Sequence, residues 1–277
     1  MKKIQMTILA MLVAASAAFA QAPDADKAAK EAEKKAAEKA RIEAKNVWQK
    51  DFKSGAVEDQ YMVLNKDPEP NLKAGFKSIF DGRTLNGWHV ACGNAFIEVD
   101  PKEKAIVGRK NPDDDIIQIN TFLVTDKEYR NFIVTFEYKW LEKGNSGLQV
   151  LSRMDKKNRV AGPQVEIETN DKRRWTGGVY GERDGAWKYS LSREDQEQAR
   201  QAVQNHMDWN RMTVEVKDGV LKTWVNGVPC ANLDLKADKN LAKYVEGGFL
   251  GFQVHHGKNG EVAFRNIRLK ELKASKK

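Results

Sequence analysis

Residues 211–229 read RMTVEVKDGVLKTWVNGVP. Two runs of alternating apolar and polar residues flank Asp218-Gly219, and Asn226-Gly227 follows the second run. Both dipeptides tolerate the positive φ angles that two-residue hairpin turns demand, so the stretch reads as three antiparallel strands in succession. The same period extends outward. NFIVTFEYKW (131–140) sets Phe132, Val134, Phe136, Tyr138 and Trp140 in one register, and GGFLGFQVHHG (247–257) and VAFRNIRLKEL (262–272) supply two more runs. From about residue 74 onward, short β-branched and aromatic runs alternate with Gly, Asn and Asp. This predicts an all-β domain over 74–273, an antiparallel β-sandwich or jelly roll. One helical insertion is expected in SREDQEQARQAVQNH (192–206), with Ser192 as cap and Asp195 in the first turn.

The N-terminal portion has a different character. Met1–Ala20, MKKIQMTILAMLVAASAAFA, combines two lysines, an apolar run and an Ala-Phe-Ala ending, the layout of a cleaved secretory signal, which predicts a periplasmic or secreted protein. No other stretch is long and apolar enough to span a bilayer as a helix. Residues 21–73 form a spacer that is helical or disordered: DADKAAKEAEKKAAEKARIEAKNVWQK (24–50) has charges at helical spacing but little apolar face to pack, and it offers itself to a partner at most through a weak coiled coil.

Charge and motifs exclude several functions. The net charge of +8 includes two signal lysines, and residues 21–60 are balanced, which leaves +6 spread over the remainder. Without a clustered basic stripe or a recognition motif, a nucleic-acid partner is not expected. No βαβ alternation, P-loop or dinucleotide fingerprint occurs, so neither nucleotide nor flavin is expected. Cys92 and Cys230 are the two cysteines; the sequence leaves open whether they pair or remain separate thiols.

Candidate site residues emerge from strand register. In GPQVEIETND (162–171), Val165 and Ile167 occupy one register while Gln164, Glu166 and Glu168 line the other, which is either a solvated face or the floor of a site. In FLGFQVHHG, the apolar Leu250, Phe252 and Val254 leave Gln253 and His255 together on the opposite face. His255 reads as a base or metal ligand, against a hydrogen-bonded structural histidine at a strand end. His256 falls in the buried register, and His89 and His206 read as packing or capping residues. In KGNSGLQVLSR (143–153), Asn145, Gln149 and Arg153 are set to face the same cleft as sugar-hydroxyl or enolate partners, with turn formation and solvent as the plainer readings. Tyr180 and Trp187 could form an aromatic rim over a sugar ring, with core packing the competitor for Trp187; Trp224 is a weaker candidate.

Six motifs, FKSIFDGRTLNGWH (76–89), KGNSGLQVLSR, GPQVEIET, GGVYGERDGAW (177–187), DWNRMTVEVKDGVLKTWVNGVP (208–229) and GFLGFQVHHGKNGEVAFRNIRLKEL (248–272), together resemble the 3-keto-disaccharide hydrolase family over Gly75–Leu272. The resemblance implies a concanavalin A-like jelly roll with a sugar-binding concave face, usually in exported proteins of glycan-degrading bacteria. The Gln-x-His pair at Gln253 and His255 matches the family pattern. The order Gln164 then Glu166 departs from the commoner Glu-then-Gln, which leaves their division of roles open.

The substrate class makes the chemistry intelligible. A ketone at carbon 3 acidifies the hydrogen on carbon 2; its removal gives an enolate that expels the group on carbon 1, with no strong nucleophile required. A base, an enolate stabiliser and a proton donor suffice. His255 and Glu166 are the expected catalytic pair, and the two could also share a divalent metal. Asn145, Gln149, Arg153, Gln164, Glu168, Tyr180, Trp187 and Gln253 are the expected substrate contacts. Two alternatives stand beside this reading. Glu166 and Glu168 could serve a retaining glycosidase, being about 6.5 Å apart at Cα as an i,i+2 strand pair, or the domain could bind sugar without cleaving it.

Overall fold

The structure, a computed structural model, describes residues 31–32, 62–112, 119–184, 187–257 and 260–275. Met1–Trp48 and Gln49–Lys277 are separate compact units. Of the first, Glu31 and Ala32 are helical, and the rest of that unit, with the stretch read as a secretory signal, lies outside the described residues. No helix among the described residues is long and apolar enough to cross a membrane.

The second unit is an antiparallel sandwich. One sheet runs from edge to edge as β13 (Val228–Asp234), β12 (Val220–Val225), β11 (Asn210–Lys217), β6 (Phe132–Glu142), β15 (Glu261–Glu271), β4 (Ala105–Arg109) and β3 (Phe96–Asp100), with β1 (Lys77–Ser78) added on β15. The other runs β10 (Trp187–Tyr189), β9 (Val179–Glu182), β8 (Val160–Glu168), β7 (Asn145–Met154), β14 (Phe249–Val254), β5 (Thr121–Thr125) and β2 (Trp88–Ala91).

The two predicted hairpins form where the turn chemistry puts them. Lys217 pairs with Val220 around Asp218 (φ 52°) and Gly219 (φ 86°), and Val225 pairs with Val228 around Asn226 (φ 51°) and Gly227 (φ 88°). Positive φ at both central residues is the type I′ geometry that matches strand twist.

The alternating registers meet between the sheets. Phe132, Val134, Phe136, Tyr138 and Trp140 of β6 pack with Met212, Val214 and Val216 of β11 against Leu148 and Val150 of β7, Val165 and Ile167 of β8, and Leu250 and Phe252 of β14. Phe252 is the hub: it stacks on Phe264 with ring centroids 4.2 Å apart, meets Phe136 edge-on at 5.1 Å and lies 5.7 Å from Trp88.

The opposite, outer face of the seven-stranded sheet is concave. Cys92, just past the edge strand β2, places its Sγ 3.4 Å from the carbonyl of Asn158 in the β7–β8 turn, although β5 and β14 lie between β2 and β7. The β7–β8 hairpin therefore curls across the face. A bulge assists: Gln149 pairs with Gln164 but Arg153 pairs with Ala161, with Leu151 at φ 51° between them. Under the flap a small apolar cluster forms from Ala91, Phe122, Val124, Val160 and Phe249.

The start of the folded unit and the cap of the short helical insertion differ from expectation, and the state of the two cysteines, which the sequence leaves open, is resolved. The folded unit begins earlier than residue 74, since 62–73 strap the outer surface of β11–β13. Met62 is buried in the main core, Asn65 donates to the Thr223 carbonyl (3.0 Å), the indole of Trp224 donates to the Asp67 carbonyl (2.9 Å), and Tyr189 donates to the Val63 carbonyl (2.8 Å). Trp224 is thereby a packing residue. The helical insertion is one turn of 3₁₀ helix, Glu194–Gln196, leading into Glu197–Arg200, and its cap is Arg193, whose backbone N–H is held by the Gln196 side chain (3.1 Å). Ser192 instead bonds the Ser190 hydroxyl (2.9 Å). Cys92 and Cys230 are both free thiols: one borders the flap and the other lies in the core.

Glu69 anchors the strap, accepting from Arg211 Nε (3.0 Å), Arg211 Nη2 (2.6 Å) and the Thr213 hydroxyl (2.6 Å) with only 14% of its side chain exposed. Glu69→Ala is expected to lower stability by about 2 kcal/mol, because three donors lose their acceptor, and to lower Tm by roughly 4–8 °C for a domain of this size. Thermal denaturation followed by circular dichroism measures it; an unchanged Tm would make the strap a passive tail.

Candidate functional site

On the concave face, pairing fixes which side chains are neighbours, because directly opposed residues of antiparallel strands point to the same side. Three rows cross β14, β7 and β8. Gly251, Gln149 and Gln164 form one. Continuing the pairing of Phe252 with Leu148 by one residue places Gln253 beside Gly147, which pairs with Glu166. A further step places His255 beside Asn145, which pairs with Glu168. β9 extends the first row with Tyr180, opposite both Gln164 and Trp187.

Gly147 is a strand residue, and neighbours rather than a turn explain it. A Cβ there would lie 2.5 Å from Cγ of Gln164 and 2.8 Å from its Nε2. The gap lets the Gln164 amide lie across β7, where Nε2 donates to Glu166 Oε2 (3.3 Å) and reaches Gln253 Oε1 (3.5 Å). The amide chain continues on the other side: Gln149 Nε2 donates to Gln164 Oε1 (2.7 Å), and the Ser152 hydroxyl donates to Gln149 Oε1 (2.7 Å). Asn145 Nδ2 donates to the other Glu166 oxygen, Oε1. Gln149, Gln164, Glu166 and Gln253 are all buried, so the strand reading GPQVEIE forms a floor beneath the curled hairpin instead of a solvated face.

Glu168 is held differently. Arg173 binds it through both Nε and Nη2, and the backbone N–H of Trp175 donates to its Oε1 (2.7 Å). The Arg173 guanidinium also covers Trp187, 4.7 Å from the ring centre, and Trp175 at 5.1 Å. Trp187 meets Trp175 edge-on at 4.7 Å and Tyr180 at 5.7 Å. Tyr180 and Trp187 are therefore neighbours, but Arg173 covers one side of Trp187 and the ring also packs against the main core. Nothing in TNDKRR distinguishes Arg173 from its neighbours; its role depends on a loop, 169–174, that doubles back on Glu168.

These environments push two titratable groups in opposite directions. Burial raises the Glu166 carboxyl from 4.5 to about 8, with the neighbouring Glu168 charge adding to the rise, while the Asn145 bond, the Arg173 charge and the Gln164 bond oppose it. His255 is lowered, mainly by burial. Its Nδ1 faces the His256 carbonyl, so Nδ1 carries the proton and Nε2 presents a lone pair in the neutral ring.

Of the expected residues, the fold brings Glu166, His255, Gln253, Gln164, Gln149, Asn145, Glu168, Tyr180 and Trp187 to one face. Arg153 is not among them. The bulge at Leu151 shifts the register, pairing puts Arg153 on the side of core residue Ala161, and its guanidinium donates to the Gly247 carbonyl (3.0 and 3.2 Å). Glu166 and His255 lie diagonally, with Asn145 on the intervening strand. A divalent metal needs several converging O or N ligands, and among the described residues no three His, Cys, Asp or Glu converge. Both Glu166 oxygens face amide N–H groups, and those of Glu168 face Arg173 and a backbone N–H. This donor set does not fit a metal centre.

The model of the 3-keto-alpha-glucoside-1,2-lyase-like domain matches residues 75–270. Among solved structures, a provisionally assigned glycosyl hydrolase of Parabacteroides distasonis is 21% identical, with 75% of this chain and 100% of that one covered at a TM-score of 0.52, and it shares the fold. A Bacillus subtilis protein of unknown function with a galectin-like fold is 10% identical, covering 68% of this chain and 90% of its own at a TM-score of 0.49. A Bacillus subtilis carbohydrate-binding module is 13% identical, covering 67% and 96% at 0.39. No curated protein sequence matches the chain. With most of its length, and every strand of the concave face, inside the matched segment, the chain belongs to the 3-keto-alpha-glucoside-1,2-lyase-like domain family.

Proposed function

We propose that this protein is an exported enzyme that cleaves 3-keto-glycosides by elimination. Family membership supports a carbohydrate-directed role, and the signal-like Met1–Ala20 supports export. The observation that carries the reaction is the opposed titration of Glu166 and His255 on one buried face. Groups whose environments push their pKa values apart divide into an acid and a base. Near neutral pH His255 is neutral with Nε2 available, and Glu166 holds a proton.

In the reaction His255 Nε2 takes the hydrogen from carbon 2. The C–H electrons form the enolate with carbon 3, the carbonyl re-forms, and the electrons pass into a carbon 1–carbon 2 double bond as the carbon 1–oxygen bond breaks. Glu166 gives its proton to the departing oxygen. Two strand spacings, about 10 Å between backbones, separate β14 from β8, and side chains reaching in from both leave the width of one sugar ring. The Gln253 amide N–H and the Tyr180 hydroxyl offer donors to the carbon 3 oxygen. Water added to the unsaturated product completes a hydrolysis; release without addition is a lyase reaction. A retaining glycosidase is less well supported, since Glu168, its second carboxylate, is engaged by Arg173 and the Trp175 N–H.

A 3-keto disaccharide should be cleaved and its unoxidised parent left intact, as product chromatography will show. Glu166→Gln and His255→Ala should each lower kcat at least ~100-fold, the usual scale of general acid–base catalysis, in protein that still melts cooperatively. Equal turnover of both sugars would restore the ordinary glycosidase.

The pH dependence follows from the same groups. The reactive form needs neutral His255 and protonated Glu166, so kcat/KM should be bell-shaped, with its alkaline limb near the Glu166 value of about 8. Stability carries a matching sign. Folding raises the Glu166 pKa from 4.5, so between 4.5 and about 8 the folded chain keeps a proton that the unfolded chain releases, and stability falls as pH rises through that window. Glu166→Gln removes this penalty. Its Tm relative to the parent should therefore improve between pH ~5 and ~9, as calorimetry at both pH values will show.

A further inference from the structure

The base of the proposed reaction stands one residue beyond the last paired position of its strand, where a strand end is prone to fray. β14 pairs with β5 as far as Val254 opposite Thr121, and His255 follows. Two contacts orient its ring, and both come from His256: the rings stack 4.7 Å apart, and Nδ1 bonds the His256 carbonyl. His256 is fixed in turn by its backbone N–H, which donates to Asn120 Oδ1 (3.0 Å). Asn120 immediately precedes β5, so its side chain supplies the acceptor that a further rung of the ladder would have given. Gly257 then turns the chain away at φ 144°, in the region that favours glycine.

Asn120 has a second partner, since its side chain also hydrogen-bonds the Glu182 carboxyl. A backbone N–H can only donate, so Oδ1 faces His256 and Nδ2 is left to donate to Glu182. An amide flipped in place would set Oδ1 against the carboxyl oxygens and Nδ2 against an N–H, so the two partners together select one orientation. Glu182 ends β9, which β8, β7 and β14 separate from β5 in the sheet. Their contact therefore spans the concave face and depends on its curl. Both side chains, with His256, line a cavity under the flap beside Phe122, Arg159 and Val160.

Resting on the elimination reading, we infer that Asn120, oriented by Glu182, is a positioning residue for the reaction. Acting through His256, it holds the His255 proton on Nδ1 and leaves the Nε2 lone pair for carbon 2. Glu182, Asn120, His256 and His255 form one chain of donors and acceptors from the flap to the base, and Asn120 acts on that base without itself taking a proton. Without Asn120 the His256 N–H loses its anchor and the carbonyl is released from Nδ1. The imidazole is then free to take the Nε2–H tautomer, which has no lone pair at the nitrogen that must accept the hydrogen.

The test reads the ring directly as well as the rate. In protein with isotope-labelled histidine nitrogens, nitrogen–proton correlation NMR reports which ring nitrogen carries the proton, at a slightly alkaline pH where His255, lowered by burial, is neutral. The His255 signals are those that vanish in His255→Ala. The parent protein should show Nδ1–H, and Asn120→Ala should convert His255 wholly or partly to Nε2–H. On a 3-keto disaccharide Asn120→Ala should lower kcat about tenfold, the scale of one lost hydrogen bond at a placed base, with KM within about twofold. Glu182→Ala should lower kcat about threefold by releasing the amide, and Glu182→Gln, which keeps an acceptor for Nδ2, should recover most of that loss. A parent His255 protonated on Nε2, an unchanged tautomer in Asn120→Ala, or a tautomer shift with kcat intact overturns the proposal. So does a loss confined to KM, which would make Asn120 a substrate contact. If the tautomer shifts as expected but no 3-keto glycoside is cleaved even by the parent, the positioning of His255 stands and the elimination reading alone fails. Should the Tm of Asn120→Ala show that it does not fold, Glu182→Ala and Glu182→Gln carry the same comparison, and equal tautomers and rates in those two overturn the proposal.

Discussion

At Gly147 the central strand of the seven-stranded sheet carries no side chain, and through that gap the Gln164 amide reaches Glu166 on its own strand and Gln253 two strands away. The rest of the face follows from this contact. Four polar side chains are buried side by side, which is tolerable only when each finds a partner. Gln149, Gln164 and Ser152 supply those partners to one another, and Asn145 completes the set at Glu166. A network in which each amide is already committed has a single low-energy arrangement, so the carboxyl at its centre is held in position before any ligand arrives.

Charge balance on this face is local and asymmetric. Glu168 and Arg173 neutralise each other at the strand end, and Arg173 is kept in place by covering Trp187 and Trp175. Glu166, two residues away, receives no such cation directly and faces amides only. The strand therefore presents one carboxyl engaged by a guanidinium and one that burial keeps protonated to higher pH. Two chemically identical groups separated by one residue thereby stand in different surroundings, the condition that divides acid from base in other sites.

The sandwich was legible because its signals are local. Asp218-Gly219 and Asn226-Gly227 specify turns without reference to the rest of the chain, and period-two alternation places Phe132 to Trp140 and Val165 and Ile167 in the core regardless of topology. The same alternation located Glu166, Gln253 and His255 on one face. It failed at Arg153, because a single bulged residue inverts every side chain beyond it and Leu151 carries no mark of its positive φ. It was silent on Arg173, whose partner lies across a loop, and on the cavity under the flap, assembled from five separate stretches of chain. The strap from Met62 to Lys73 was read as spacer because its anchors, Asn65, Asp67 and Glu69, are polar residues that engage residues about 140 to 160 positions away; composition reports apolar anchors and misses these.

The strand order carries a consequence for how the chain folds. β14 and β15 are the last two strands in sequence, yet each lies inside its sheet, β14 between β7 and β5 and β15 between β6 and β4. The β11–β12–β13 meander can form from neighbouring residues, whereas both sheets remain split down the middle until the final thirty or so residues insert. Such long-range pairing is slow and leaves strand edges uncovered meanwhile. A chain in which β14 and β15 have yet to be made thus lacks the central seam of both sheets, and loss of these strands removes two structural keystones where loss of an edge strand would trim one. The polypeptide commits to its native architecture only when its whole length is free.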